Sequence, residues 1–178
     1  MAVRVRKKTI SPVSDVGELK TPEDVLLFAK NNNINIEPLD IKALASLLCI
    51  RIRYQDLDEN ISGSLKKENE SWVISVNSSH HERRQRFTIA HELGHYFLHR
   101  NNNTEFNDNE FFRSSQMDRT EYEANNFAGA LLMPRCSFMS HIENKNARTY
   151  DDLANIFNTS IAAAKIRLEV IKRGYYDF

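Results

Sequence analysis

Hydrophobic positions change their spacing several times along the chain, and each change marks an element. Val25, Leu26 and Phe28 share one side of a helix opened by Thr21-Pro-Glu-Asp24. Thr is an N-cap, Pro suits the first helical position, and acids favour the first turn. A second helix is predicted from Asp40, with Ile41, Leu44, Ala45 and Leu48 inward. Ile50 to Tyr54 then alternates apolar with basic residues, and Trp72 to Val76 is β-branched and aromatic, so both read as strands. Ile61 to Leu65 forms a further strand between them, and Lys66 to Ser71 reads as a hairpin turn.

Helical spacing then takes over. His81 to Arg100 carries Phe87, Ala90, Gly94, Phe97 and Leu98 on a buried face. Asn101 to Gln116 is polar and broken, a loop or a ragged strand. Asp118 to Met133 repeats Ala124, Phe127, Ala128 and Leu131 at helical intervals, and Pro134 ends it. Helices are also predicted near Tyr150 to Phe157 and Ser160 to Arg173, the last stopped by Gly174. Helices before and after a small, mostly antiparallel sheet make an α+β fold. Residues 21–178 are expected to form one domain, preceded by an N-terminal extension, 1–20.

Composition narrows the function classes. Lys+Arg and Asp+Glu are both 24, which disfavours binding through a strongly basic surface to nucleic acid. Two cysteines, Cys49 and Cys136, are too few for a disulfide scaffold. The basic start, Met1 to Lys8, has no apolar segment after it, and the apolar run Ala43 to Ile50 is far short of the roughly 20 residues a membrane helix needs. These features lead us to expect a soluble cytoplasmic protein with no membrane partner.

Five of the six histidines, at 80, 81, 91, 95 and 99, fall in one short stretch that contains His91-Glu-Leu-Gly-His95. Residues four apart share a helix face, so His91 and His95 can aim both rings at one ion. Glu92 is rotated away from that axis and is placed to act as general base towards a water whose pKa the metal lowers to about 7. Gly94, with no side chain, admits another backbone close to the helix. A zinc site of this type takes a third protein ligand. Glu121 and Glu123 lie about 200° apart on their helix, so only one can face the ion. Glu121 borders the buried face and is the better placed. Asn125, one turn on, can hydrogen-bond a ligand histidine from behind. His99 is a rival ligand, but a straight helix sets it about 12 Å along the axis from His91. His80 and His81 read as surface residues, and His141 as isolated.

Two segments extend the pattern: Arg84-Gln-Arg-Phe-Thr-Ile-Ala-His-Glu-Leu-Gly-His-Tyr-Phe-Leu-His99, and Glu121-Tyr-Glu-Ala-Asn-Asn-Phe-Ala-Gly-Ala-Leu-Leu-Met-Pro134. Together they resemble the ImmA/IrrE family of zinc-dependent metallopeptidases, and Asn33 to Asp40 and Ile61-Ser-Gly63 are similar to it as well. The likeness covers roughly residues 20–170. It implies a zincin-like core with His91, His95 and Glu121 as zinc ligands and Glu92 as catalytic base. It also implies cleavage of a partner repressor carrying a helix-turn-helix, from a phage, mobile element or stress-response system. Gly129 departs from the family's usual second Ala, and no fused DNA-binding domain is evident.

Two other classes compete with that reading. A non-catalytic zinc-containing module could act by sequestering a partner, as in a toxin–antitoxin-like component. A DNA-binding regulator could use the tail, where Leu153 to Phe157, Thr159-Ser160 and Ala164 to Leu168 have helix-turn-helix spacing and Lys165 and Arg167 offer positive charge. The intact Glu92 favours the peptidase, because a structural zinc site has no need of it.

Overall fold

The computed structural model describes residues 19–101, 104–109 and 119–174. Helices α1 (Pro22–Asn31) and α2 (Ile41–Leu47) lead into strands β1 (Arg51–Gln55), β2 (Ile61–Glu68) and β3 (Ser71–Asn77). Helix α3 (Glu82–His99) follows, then β4 (Glu105–Asn109), α4 (Arg119–Leu132), α5 (Arg135–Glu143), α6 (Tyr150–Ile156) and α7 (Ile161–Arg173). The arrangement is α+β, as expected.

Local chemistry sets most boundaries. Thr21 and Asp24 form a reciprocal capping box, as do Thr149 and Asp152. Asp40 and Ser160 cap α2 and α7, and Gly174 ends α7 in the left-handed region at φ 66°. Pro134 has two roles. It closes α4 and is also the N-cap of α5, a helix the hydrophobic pattern does not reveal because only Phe138 in it is buried. The extension and residues 110–118 lie largely outside the described residues.

The sheet order is β1-β3-β2-β4. β2 pairs antiparallel with β3 and β4, whereas β1 runs parallel to β3. The sheet is thus mixed, because the β2–β3 hairpin folds back between β1 and β4. The hairpin turn is tighter than the sequence suggests: only Asn69 and Glu70 separate the strands, both with positive φ, at 43° and 65°. At the far end of β3, buried Asn77 donates to the carbonyls of Leu57, Asp58 and Ile61 and accepts from Ser79, fixing the entry to β2 and the exit towards α3.

Helix α3 runs through the middle of the protein. The sequence predicts one buried face, but eleven consecutive or near-consecutive positions from Thr88 to His99 are largely buried, with only Leu98 half-buried among them. The sheet covers α3 on one side and α4 on the other, so little of its circumference meets water. One core cluster joins Val25 and Ala29, Leu65, Ile74 and Val76, Ile89 and Leu93, Phe127 and Leu131, and Phe138, Phe157 and Ala164. Trp72 on β3 meets Tyr96 of α3 edge-on, with ring centres 5.8 Å apart.

The basic residues at the start of α3 anchor it in three directions. Arg83 donates to Asn155 of α6 at 2.6 Å, and Arg84 to Ser62 of β2 at 2.9 Å. Arg86, buried, donates to the carbonyls of Leu39 at 2.9 Å and Asn158 at 3.1 Å.

An L-residue in the left-handed region is strained relative to glycine, so Glu70→Gly should raise the melting temperature by about 2–4 °C in a thermal scan. Glu37 accepts hydrogen bonds from Ser137 and His141 of α5; partial burial works to raise its pKa, but these bonds prevail and hold its carboxyl below the usual range. A depressed folded-state pKa contributes stability at neutral pH that is lost as pH falls through and below about 4. Urea midpoints of the wild type and Glu37→Gln should therefore differ at pH 7 and converge on acidification.

Candidate metal centre

Helix α3 presents His91, Glu92 and His95, all essentially without solvent exposure. Helix α4 passes close to their neighbour Gly94. A Cβ at that position would lie 3.0 Å from the carbonyl oxygen of Ala124 and 3.1 Å from its Cα. Such contact is tighter than side chains ordinarily make, and it brings the first turns of α4 against the histidine pair.

His91 Nε2 and His95 Nε2 lie 3.0 Å apart. Glu121 Oε2 is 3.2 Å from the first and Glu121 Oε1 3.3 Å from the second. All three side chains offer a ligand atom within 4.8 Å of one another. A tetrahedral ion with bonds of 2.0–2.1 Å holds its ligand atoms about 3.3 Å apart. Both the separations and the donor types, two imidazole nitrogens and one carboxylate oxygen, therefore fit a divalent metal such as zinc.

Asn125 Oδ1 stands 3.0 Å behind His91, at Nδ1. The carbonyl oxygen only accepts, so His91 carries its proton on Nδ1 and leaves a lone pair on Nε2, towards Glu121. Burial is the main influence on His91 and pushes its pKa down, favouring the neutral ring that can ligate; Glu121 works in the opposite direction. Burial alone would raise the pKa of Glu121, but the facing His91 and His95 rings outweigh it and lower its carboxyl well below the usual range.

Glu92 sits beside the cluster. On the sheet side it is approached by Gly63 of β2, where a Cβ would come within 3.5 Å of Glu92 Oε1. The same Cβ would meet Thr88 Cγ2 at 2.5 Å and the carbonyl oxygen of Ser75 at 2.6 Å. Position 63 thus lets the strand run against α3 next to this carboxylate.

The rivals for the third ligand are placed elsewhere. Glu123 points to His99, with Oε2 3.1 Å from His99 Nε2, and also accepts from Arg119 at 2.8 Å. His99 Nδ1 in turn is 3.2 Å from His95 Nδ1. His80 lies near the carbonyl oxygen of Glu59, His81 caps α3 from outside, and His141 pairs with Glu37. Three neighbours of the cluster were not legible as such from the chain: Gly63 through its packing, the His99–Glu123 pair, and Phe106 of β4. The ring of Phe106 stacks on His95 at 4.6 Å. A lone aromatic in the otherwise polar Asn101 to Glu110 stretch was its one sequence signal.

A histidine pair on one helix completed by a carboxylate from the next is the ligand arrangement of zinc metallopeptidases. Sequence comparison agrees: the chain belongs to the peptidase family described as the IrrE N-terminal-like domain, whose profile matches residues 45–169. The likeness to ImmA/IrrE proteins read from the two motifs is borne out. Uncharacterized immunity region protein 2 of Bacillus phage phi105 is 35% identical over 111 residues, covering 62% of this chain and 68% of that protein. A Mycobacterium tuberculosis transcriptional regulator shares the fold with a TM-score of 0.55 over 93% of this chain, at 15% identity; the chain spans 50% of that protein's length. The departure at Gly129 is sterically open, because among the described residues a Cβ there would meet only Arg167 Cδ, at 3.8 Å.

The tight packing at position 63 gives a direct test. Gly63→Ala should cost about 1–3 kcal/mol of stability through overpacking, read as a lower denaturant midpoint at unchanged slope.

Proposed function

We propose that the protein is a zinc-dependent endopeptidase that cleaves a partner regulatory protein, a helix-turn-helix repressor, in the cytoplasm. The observation that carries the reading is a fully buried Glu92 one residue from His91, next to a His91–His95–Glu121 cluster whose separations suit a tetrahedral ion. A purely structural zinc site has no use for that carboxylate. Family membership supports the peptidase class, and a relative from a phage immunity region supports a regulatory target. Two free, exposed cysteines suit a reducing compartment, and no described helix is long and apolar enough to cross a membrane.

His91, His95 and Glu121 would hold the metal. When bound, it would polarise the scissile carbonyl and lower the pKa of the attacking water. Glu92 accepts the proton of that water and passes it to the nitrogen of the departing amine, so one carboxylate serves as base and then as acid. Asn125 keeps His91 turned towards the centre, and Gly63 gives Glu92 room beside the sheet.

The tail is less suited to DNA. Arg167 is 3% exposed and donates to the carbonyl oxygen of Met133, so it closes the α4–α7 contact and is not offered to a phosphate. Lys165 remains exposed on α7, beside Ile161 and Ile166.

Glu92→Gln should keep stoichiometric zinc and lose roughly 10²–10⁴-fold in cleavage, followed by comparing fragments in cells carrying either form. Glu121→Ala should lose the metal by elemental analysis. Full cleavage by Glu92→Gln would refute its role as base, and a silent Glu92→Gln in the biological assay would favour sequestration.

A further inference from the structure

His95 is held from behind by a chain of side chains that ends in a carboxylate on the neighbouring helix. His95 Nδ1 faces His99 Nδ1 at 3.2 Å, and His99 Nε2 faces Glu123 Oε2 at 3.1 Å. Glu123 is itself tied to Arg119, its carboxylate shared between the two. His95 and His99 are buried, whereas Glu123 lies at the rim.

The direction of this chain follows from its end. An ionised carboxylate can only accept, so the proton between His99 and Glu123 belongs to His99 Nε2. A neutral ring with its proton on Nε2 has a lone pair on Nδ1. His99 Nδ1 therefore accepts, and His95 must donate from its own Nδ1. The proton on His95 being thus fixed, its Nε2 lone pair faces His91 and Glu121. Asn125 imposes the same tautomer on His91 through a single hydrogen bond. Two different devices leave both rings with Nε2 bare towards the same point.

We propose that His99 and Glu123 are positioning residues that set the tautomer and direction of His95, so that α4 supplies one metal ligand directly and orients another through a second histidine. The inference rests on the reading of His91, His95 and Glu121 as a metal centre. It explains why His99, whose Nε2 turns to Glu123, is buried against His95 and Phe106 instead of lying at the surface.

The test measures zinc affinity of the full chain by chelator competition, with the melting temperature of the metal-free protein recorded alongside. His99→Phe keeps an aromatic ring beside Phe106 but removes both nitrogens. It should weaken zinc binding about 10–100-fold while the metal-free melting temperature changes little. His99→Gln restores an acceptor for His95 and should recover part of the affinity. Glu123→Ala removes the acceptor that holds the proton on His99 Nε2 and should weaken zinc binding by a smaller factor. Added to His99→Phe it should bring no further loss, because Glu123 acts only through His99. If His99→Phe lowers the metal-free melting temperature, a loss of zinc affinity in a normally stable Glu123→Ala still supports the proposal. Zinc affinity unchanged in Glu123→Ala, or a loss of stability without a loss of affinity in both variants, overturns it. A separate arm examines the underlying reading: if the wild type binds no zinc, or Glu121→Ala binds it as tightly as the wild type, the metal centre itself is wrong.

Discussion

A carboxylate reaches two histidines in this protein because two helices touch where one of them has no side chain. Gly94 lies between Glu92 and His95 in sequence, and a Cβ there would crowd the backbone of Ala124 at 3.0–3.1 Å. Ala124 is one turn beyond Glu121 and adjacent to Glu123 and Asn125. The same crossing therefore governs every α4 residue that faces the histidines. The geometry of the His91–His95–Glu121 cluster is a property of helix packing: a displacement of a few tenths of an ångström between α3 and α4 acts on all of these contacts together.

The second constraint is electrical. Three histidines, a glutamate and an arginine on α3 are taken almost fully out of water, a placement that is costly unless each polar group is met. Arg86 is met by two backbone carbonyls, His91 by Asn125, and His95 by His99. The zero net charge thus conceals an ordered distribution. Arginines at the start of α3 tie it to its surroundings, and acids on α4 face the imidazoles nearer its end.

How much of this could be read from the chain depends on whether the determining interaction is local. The caps at Thr21, Asp40 and Ser160 and the stop at Gly174 act within a few residues and were legible. The spacing of His91 and His95 is fixed by one helical turn, and their convergence followed. The parallel pairing of β1 with β3 is non-local, and nothing in the alternation of Ile50 to Tyr54 reports it. Pro134 looked like a terminator because its effect on α4 is direct, whereas its place at the head of α5 depends on Phe138 finding Phe157 in the core. His99 fits the same distinction. Its sequence spacing set it about 12 Å along the axis from His91 and made it the weaker rival ligand, but its link to Glu123 exists only once α4 has docked.

Trp72 is the single tryptophan of the chain, and its indole meets the ring of Tyr96, the residue immediately after His95. Tryptophan emission from this protein therefore comes from one place, on the strand that backs the histidine helix. Any event that shifts α3, whether an ion settling between its histidines or a peptide drawn across them, has a resident optical reporter one residue away, with no label to attach and no competing indole to subtract.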